Sequence, residues 1–254
     1  FRATNATTIA TAVGQSAYPG SLGHGVEPEA LFIDTAAGRA VFSIGMTDAG
    51  SRGILVGNGA AVLGTTTLAG LPRDVIAATV AGIDGGVGLV TARAGTPGLE
   101  SWRVGPTGVE RVASVALPAD APPGTRINDL TLVTVEGQAI VIGTSTASNL
   151  LTTHRLGSDG ALEPAAVLGG STGAHFAAPR EVEVATVAGI TYAIVAGAGS
   201  SSLTVLRIDP SGALALTDHI LDERGTRFDA VTALETVTID GRTCVAMEYA
   251  GEST

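Results

Sequence analysis

The chain has 254 residues, 45% of them hydrophobic and only 4% aromatic, with 35 glycines and 11 prolines. That apolar fraction suffices for a buried core and excludes wholesale disorder, but the core has to be built from Val, Leu, Ile and Ala. Twenty-four acidic residues against 14 basic ones give a net charge of -10, which repels phosphate backbones and anionic lipid and argues against a nucleic-acid partner. All the basic residues are Arg; without a lysine, a phosphate-loop lysine, a Schiff base and a Ser-Lys dyad are excluded. Cys244 is the only cysteine, so no internal disulfide and no CxxC metal knuckle can form. Such a composition is expected of a bacterial secreted or surface protein.

Internal repetition governs the reading of the chain. IDTAAGRAVFSIG, ATVAGIDGGVGLVTARAG, LVTVEGQAIVIGTSTAS, VATVAGITYAIVAGAGS and TVTIDGRTCVAMEYAGE follow in order and align on a turn glycine: Gly38, Gly82, Gly137, Gly189 and Gly241. The last three spacings are 55, 52 and 52 residues, and the first copy stands 44 before the second. A second signature, Trp102-Arg103-Val104, His154-Arg155-Leu156 and Leu206-Arg207-Ile208, places a glycine five residues after each Arg, at Gly108, Gly160 and Gly212. Within the fourth copy, EVEVATV, ITYAIVAG, SLTVLRI and ALALTDHI alternate as strands and are separated by hairpin-type turns. The charge-free run from Val184 to Arg207 has the length of a membrane helix, but its glycines, Ser200-Ser201-Ser202 and β-branched residues make it two strands and their turns.

A repeated four-stranded antiparallel unit of about 52 residues predicts an all-β fold, a β-propeller whose blades bury their faces against one another. The copies fall at approximately residues 30–73, 74–127, 128–179 and 180–229, with partial copies at 1–29 and 230–254. One aligned first-strand column, Leu31, Val75, Leu130, Val182 and Leu234, is expected to pack between blades. A second, Ala78, Val133, Ala185 and Val237, is expected at the crowded inner end. Phe1-Arg2 is in register with Leu206-Arg207 and Thr254 with Ser202, so both ends fall within a blade. Either the strand TTIATAV completes the blade begun by residues 230–249, or the chain is five consecutive repeats of a larger ring. The closed version lacks most of one third strand, and the fragment is the favoured expectation.

The stretch GITYAIVAGAGSSSLTVLRIDPSGALALTDHI and the later TALETVTIDGRTCV resemble repeats that precede the calcium-binding nonapeptide arrays of alphaproteobacterial secreted hemolysin-type (RTX) proteins. The resemblance covers residues 30–254 and implies export by type I secretion, hence an extracellular or cell-surface location. The GGxGxDxU nonapeptide itself is missing: Gly85-Gly86-Val87-Gly88 has Val90 where the Asp ligand belongs, which puts calcium binding by such an array in doubt.

Gly169-Gly170-Ser171-Thr172-Gly173 matches GxSxG, with His175 two residues on. A nucleophile elbow needs a strand entering and a helix leaving. This copy lies in the connection between repeats, in register with Gly124-Thr125-Arg126 and Gly225-Thr226-Arg227, so Gly173 reads as a repeated loop glycine. The histidines, His24, His154, His175 and His219, form no HxH or HxxxH pair; His154 holds the strand position of Trp102 and Leu206 and reads as packing, His219 as a solvated edge residue. Asp218, Asp222 and Glu223, with Asp229 beyond, are the weak candidates for a metal site, calcium being the one possible cofactor, against the alternative of a solvated loop. Glu183 and Glu235 align on first strands and, if buried, need partners such as Arg126, Arg180 or Arg227. Arg103, Arg155 and Arg207 recur and read as structural.

The leading functional expectation is a non-catalytic secreted or cell-surface scaffold that binds protein or glycan, with no catalytic residue assigned. A propeller-fold hydrolase or lyase, lactonase-like or glycan-active, is the alternative, and a subunit of a surface layer or other extracellular assembly a third. An enzyme should gather non-repeating His, Asp and Glu at one end of the blades, whereas a scaffold should show polar residues that obey the repeat.

Overall fold

The computed structural model describes residues 30–35, 38–46, 52–58, 61–67, 70–72, 74–84, 86–105, 108–169, 173–222, 231–239 and 242–249. Every regular element among them is a β-strand. The first blade is β1 (Ala30–Thr35), β2 (Gly38–Met46), β3 (Arg52–Asn58) and β4 (Ala61–Thr67). The second is β5 (Val75–Ile83), β6 (Gly86–Arg93), β7 (Leu99–Gly105) and β8 (Gly108–Val115). The third is β9 (Asp129–Val135), β10 (Gln138–Ser145), β11 (Leu150–Leu156) and β12 (Leu162–Gly169). The fourth is β13 (Pro179–Val187), β14 (Ile190–Gly197), β15 (Ser202–Ile208) and β16 (Leu214–Leu221), and β17 (Val231–Ile239) pairs with β18 (Arg242–Tyr249) to begin a fifth. Each sheet is an antiparallel meander with its strands in sequence order. The charge-free run is β14 and β15, and no helix among the described residues is long and apolar enough to cross a membrane.

Strand pairing and turn geometry correct two registers, that of the second copy and that of the first. Between first and second strands, Asp84, Glu136 and Ala188 all take a left-handed φ, of 48°, 48° and 50°, each 52 residues from the next. Gly137 and Gly189 follow with φ of 86° and 79°, the two successive positive angles that a type I′ hairpin turn requires. Gly82 is not their counterpart: it lies inside β5, paired with Val87, and the turn comes after Ile83. The second copy therefore slides by three residues, and the first-strand column becomes Ala78, Leu130, Val182 and Leu234. Val75 is buried for another reason, beside a bulge at the start of β5 that recurs at the starts of β13 and β17. The inner column becomes Ala81, Val133, Ala185 and Val237, of which Val237 is 41% exposed. In the first copy Thr35 pairs with Gly38, which opens β2 as Gln138 and Ile190 open their strands. That copy therefore slides by one residue, and Ala30 rather than Leu31 takes the first-strand place; the side chains of both lie outside the described residues.

Period-two alternation sends successive side chains to opposite faces, so each blade has two apolar faces to bury. Ile140, Ile142 and Leu151 of the third blade pack with Val182, Ala193, Val195 and Leu206 of the fourth, while Val141 and Leu156 turn the other way onto Ala81, Val90 and Leu99 of the second. Leu234 closes on Ala185, Ile194 and Leu203 of the fourth blade in the same manner. Leu130, Val182 and Leu234 thus do pack between blades.

Buried hydroxyls tie these seams with the same period. Ser101 Oγ donates to the carbonyl of Gly160 at 2.5 Å, and Thr153 Oγ1 to that of Gly212 at 2.6 Å. Gly160 and Gly212 have φ of 90° and 86°, and a Cβ on Gly212 would stand 2.8 Å from the Ala165 Cβ of the preceding blade. Gly160 and Gly212, five residues after Arg155 and Arg207, are therefore needed both for their backbone angle and for the close approach of one blade to the next.

Candidate functional site

Where a blade's outer strand crosses to the next blade, the connecting loop drops an apolar plug into the seam. Gly124 and Gly173 hold equivalent places, with φ of 81° and 83°, and three residues later Ile127 and Phe176 are buried at 2% and 3% exposure. Gly170, Ser171 and Thr172 of the GxSxG match lie outside the described residues; Gly169 ends the outer strand β12, and the next described element after Gly173 is the strand β13.

At the seam between third and fourth blades this loop brings two histidines together. His175 is exposed at φ 56°, and its ring centre lies 5.6 Å from that of His219 on β16, tilted by 43°. The surrounding backbone is tightly held: Ala177 N–H donates to Ser200 Oγ at 2.9 Å, Ala178 N–H to Asn149 Oδ1 at 2.7 Å, and Gly199 N–H to the Ala177 carbonyl at 3.0 Å. Asn149, Ala178 and Ser201 around it also have positive φ. Non-glycine residues in this region carry a conformational cost that the hydrogen bonds offset, and such residues gather at functional sites.

His219 is fixed from behind. The Nδ1 of its ring is 2.9 Å from Oγ1 of Thr204, which is fully buried, and its backbone N–H donates to Asp218 Oδ1 at 2.8 Å. Partial burial lowers the His219 pKa and the neighbouring His175 lowers it further, against an opposing pull from Asp218. His219 lies on the edge strand β16, as expected, but is half-buried rather than solvated.

A second charged group lies on the face of the second blade turned away from the third. Glu100 is 4% exposed; Arg111 Nη1 donates to its Oε1 at 3.1 Å, and Arg93 stands 3.7 Å from the same oxygen. Arg93 also donates through Nε to Asp74 Oδ1 at 2.8 Å, and that bond lowers the Asp74 pKa. Glu100 occupies the place of Thr152 and Thr204 in the next two blades, so this network breaks the repeat.

His154 is fully buried in the Trp102 and Leu206 position, as packing requires. Neither ring nitrogen has a hydrogen-bond partner among the described residues, and burial pushes its pKa down to about 4, opposed only in part by the Ala116 backbone. Asp218 and Asp222 are exposed, Glu223 and Asp229 lie outside the described residues, and among the described residues no group of three His, Cys, Asp or Glu is gathered for a metal. His24 and Arg227 also lie outside them. Glu183 is 7% exposed on β13 and Glu235 is exposed on β17, as are Arg126 and Arg180. The recurring Arg103 and Arg155 are exposed and pair within their own blades, with Asp84 and Glu163.

The two groups that break the repeat were not apparent from the primary structure. The signal for His175 lay in its loop register, where it replaces Arg126; that for Glu100 lay in a lone carboxylate two residues before Trp102 where the other copies carry Thr.

No family model and no curated protein matches the chain. Solved structures do. A protein from Lactobacillus plantarum is similar over 93% of this chain and 76% of its own, at 18% identity and a TM-score of 0.54. An exo-β-1,3-galactanase from Clostridium thermocellum is similar over 91% of this chain and 55% of its own, at 12% identity and a TM-score of 0.53. A 6-phosphogluconolactonase-like protein from Bacteroides uniformis is similar over 77% and 55%, at 15% identity and a TM-score of 0.50. The fold is propeller-like. This propeller-like chain spans about half the length of the galactanase and of the lactonase-like protein it matches.

Proposed function

We propose that the chain is a non-catalytic interaction module of a secreted or cell-surface bacterial protein, presenting its blade-connecting loops to a protein or glycan. The observation that carries the proposal is the division of labour among polar residues. Buried hydroxyls and turn glycines obey the 52-residue repeat and serve the blades, as Ser101 with Gly160 and Thr153 with Gly212 do. His175, which breaks the repeat, is exposed on a blade-connecting loop beside His219 of the outer strand, where a partner can reach it. The acidic, lysine-free composition supports an extracellular setting, and the resemblance to RTX proteins supports type I secretion, with assembly into a larger surface structure a further proposal. Calcium held by Asp218, Asp222, Glu223 and Asp229 belongs to the same proposal.

A hydrolase is the second reading, favoured by the histidine pair and by the galactanase and lactonase-like proteins among the similar structures. One experiment separates the two: saturation binding of the purified chain to a glycan panel and to bacterial surfaces, run beside turnover assays on lactones and β-1,3-galactan. Saturable binding without turnover is expected. Turnover of either substrate would establish the hydrolase and remove the module reading.

A further inference from the structure

We propose that His175 and His219 together bind a divalent transition-metal ion of the zinc and copper class at the seam between the third and fourth blades. The ring separation suits it. An ion held at about 2.0–2.1 Å by one nitrogen from each ring, at a tetrahedral angle, places the ring centres about 5 to 6 Å apart, and they stand at 5.6 Å.

The orientation of His219 suits it as well. Its Nδ1 is engaged by Thr204 Oγ1 at 2.9 Å, so Nε2 is the nitrogen offered outward. A partner on the second ring nitrogen is what fixes tautomer and ring plane in metal-binding histidines. The buried Thr204 hydroxyl supplies that partner from within the blade.

Local architecture supplies two further observations. β16 carries a bulge opposite Val205 and Leu206, immediately before Asp218 and His219, and a bulge re-aims the side chains that follow it. The same bulge recurs in β4, β8 and β12, so it belongs to every complete blade and the imidazole is what this blade adds. His175 is kept at φ 56° by a loop in which the amides of Ala174, Ala177 and Ala178 are hydrogen-bonded, so its position is set before any ligand arrives. Imidazole nitrogens select this class of ion over calcium, which prefers oxygen. With a net charge of -10 and Asp218 alongside, the surroundings attract cations. Two protein ligands leave the remaining positions to water or to a donor group from a bound partner.

The third blade shows the contrast. There Thr152 takes the place of Thr204, Val167 that of His219 and Arg126 that of His175, and no imidazole is presented.

The test is calorimetric titration of the full chain with Zn²⁺, with Cu²⁺ electron paramagnetic resonance as the second readout. One ion per chain is expected, with two imidazole nitrogens in the Cu²⁺ spectrum. His219→Val, which copies the third blade, and His175→Asn, which tolerates the left-handed backbone, should each abolish tight binding and leave one nitrogen or none. Thr204→Val should weaken it about 10- to 100-fold by releasing the ring. Cys244→Ser should change nothing, and the unfolding temperature of each variant without metal confirms that it folds. Unchanged affinity in either histidine variant, loss of binding in Cys244→Ser, or no Zn²⁺ binding by the unaltered chain would each overturn the proposal.

Discussion

The seam between the second and third blades and the seam between the third and fourth are two copies of one design. Both place a left-handed loop glycine, Gly124 or Gly173, three residues before an apolar plug, Ile127 or Phe176. Both tie a buried hydroxyl, Ser101 or Thr153, to the glycine carbonyl of the next blade. They differ where the repeat carries no packing load. The first seam has Arg126 and Val167 where the second has His175 and His219, and the cores beneath are the same in kind. At these two seams the difference is written on the loop and the outer strand, while first and second strands stay under the constraint of close packing.

The plugs give the largest expected effect. Phe176→Ala should cost about 3–5 kcal/mol and Ile127→Ala about 2–5 kcal/mol, because each leaves a cavity between two blades that cannot close freely. Urea denaturation measures both. A loss below about 1 kcal/mol for Phe176→Ala would mean the loop lies on the core rather than in it.

His154 distinguishes the third blade from its neighbours by pH. Its pKa in the folded chain is about 4 against an ordinary 6.5, lowered by burial. Between these values the unfolded chain binds the additional proton, so stability falls as the pH drops from about 6.5 to 4 and levels off below. The shift corresponds to roughly 3 kcal/mol over that window. His154→Leu, which copies Leu206, should remove most of this slope. An unaltered slope in the variant would assign the acid sensitivity elsewhere.

The glycines test close approach against backbone angle. Gly124→Ala meets no atom within 4 Å and should cost only the left-handed penalty, about 1–2 kcal/mol. Gly212→Ala adds a 2.8 Å clash with Ala165 and should cost about 2 kcal/mol more. Equal losses would show that the blades can separate slightly at no cost.

Much of this fold was legible in the primary structure because a propeller writes its turns at fixed intervals. The four-stranded unit, the Trp102, His154 and Leu206 column and the structural glycines all followed from spacing. The register error in the second copy arose because the sequence offers glycines at 82, 85 and 86, and the pairing of Ile83 with Gly86 and the positive φ of Asp84 decide where the chain reverses. The histidine pair was not legible. It joins a loop residue to an outer strand 44 positions away, and their approach depends on how residues 173–178 fold back over the turn at Ser200. The charged network at Glu100 was hidden likewise, since its four members come from a loop and three strands.

The smallest effects carry opposite signs, which makes them the most discriminating. Thr153 and Thr152 are adjacent on β11 and both fully buried, but they face different blades. Thr153 Oγ1 donates to Gly212, whereas Thr152 Oγ1 has no hydrogen-bond partner among the described residues because Val167 stands opposite. Thr153→Val removes a made bond and leaves a buried carbonyl short of a donor, a loss of about 1 kcal/mol. Thr152→Val removes an unsatisfied hydroxyl from an apolar seam and should be neutral or stabilising by up to about 1 kcal/mol. Thr204→Val, the same change one blade on, should destabilise, since there the hydroxyl meets His219 Nδ1. A loss in Thr152→Val as large as in Thr204→Val would mean that the third blade satisfies its hydroxyl too, and that the two seams differ less than their sequences.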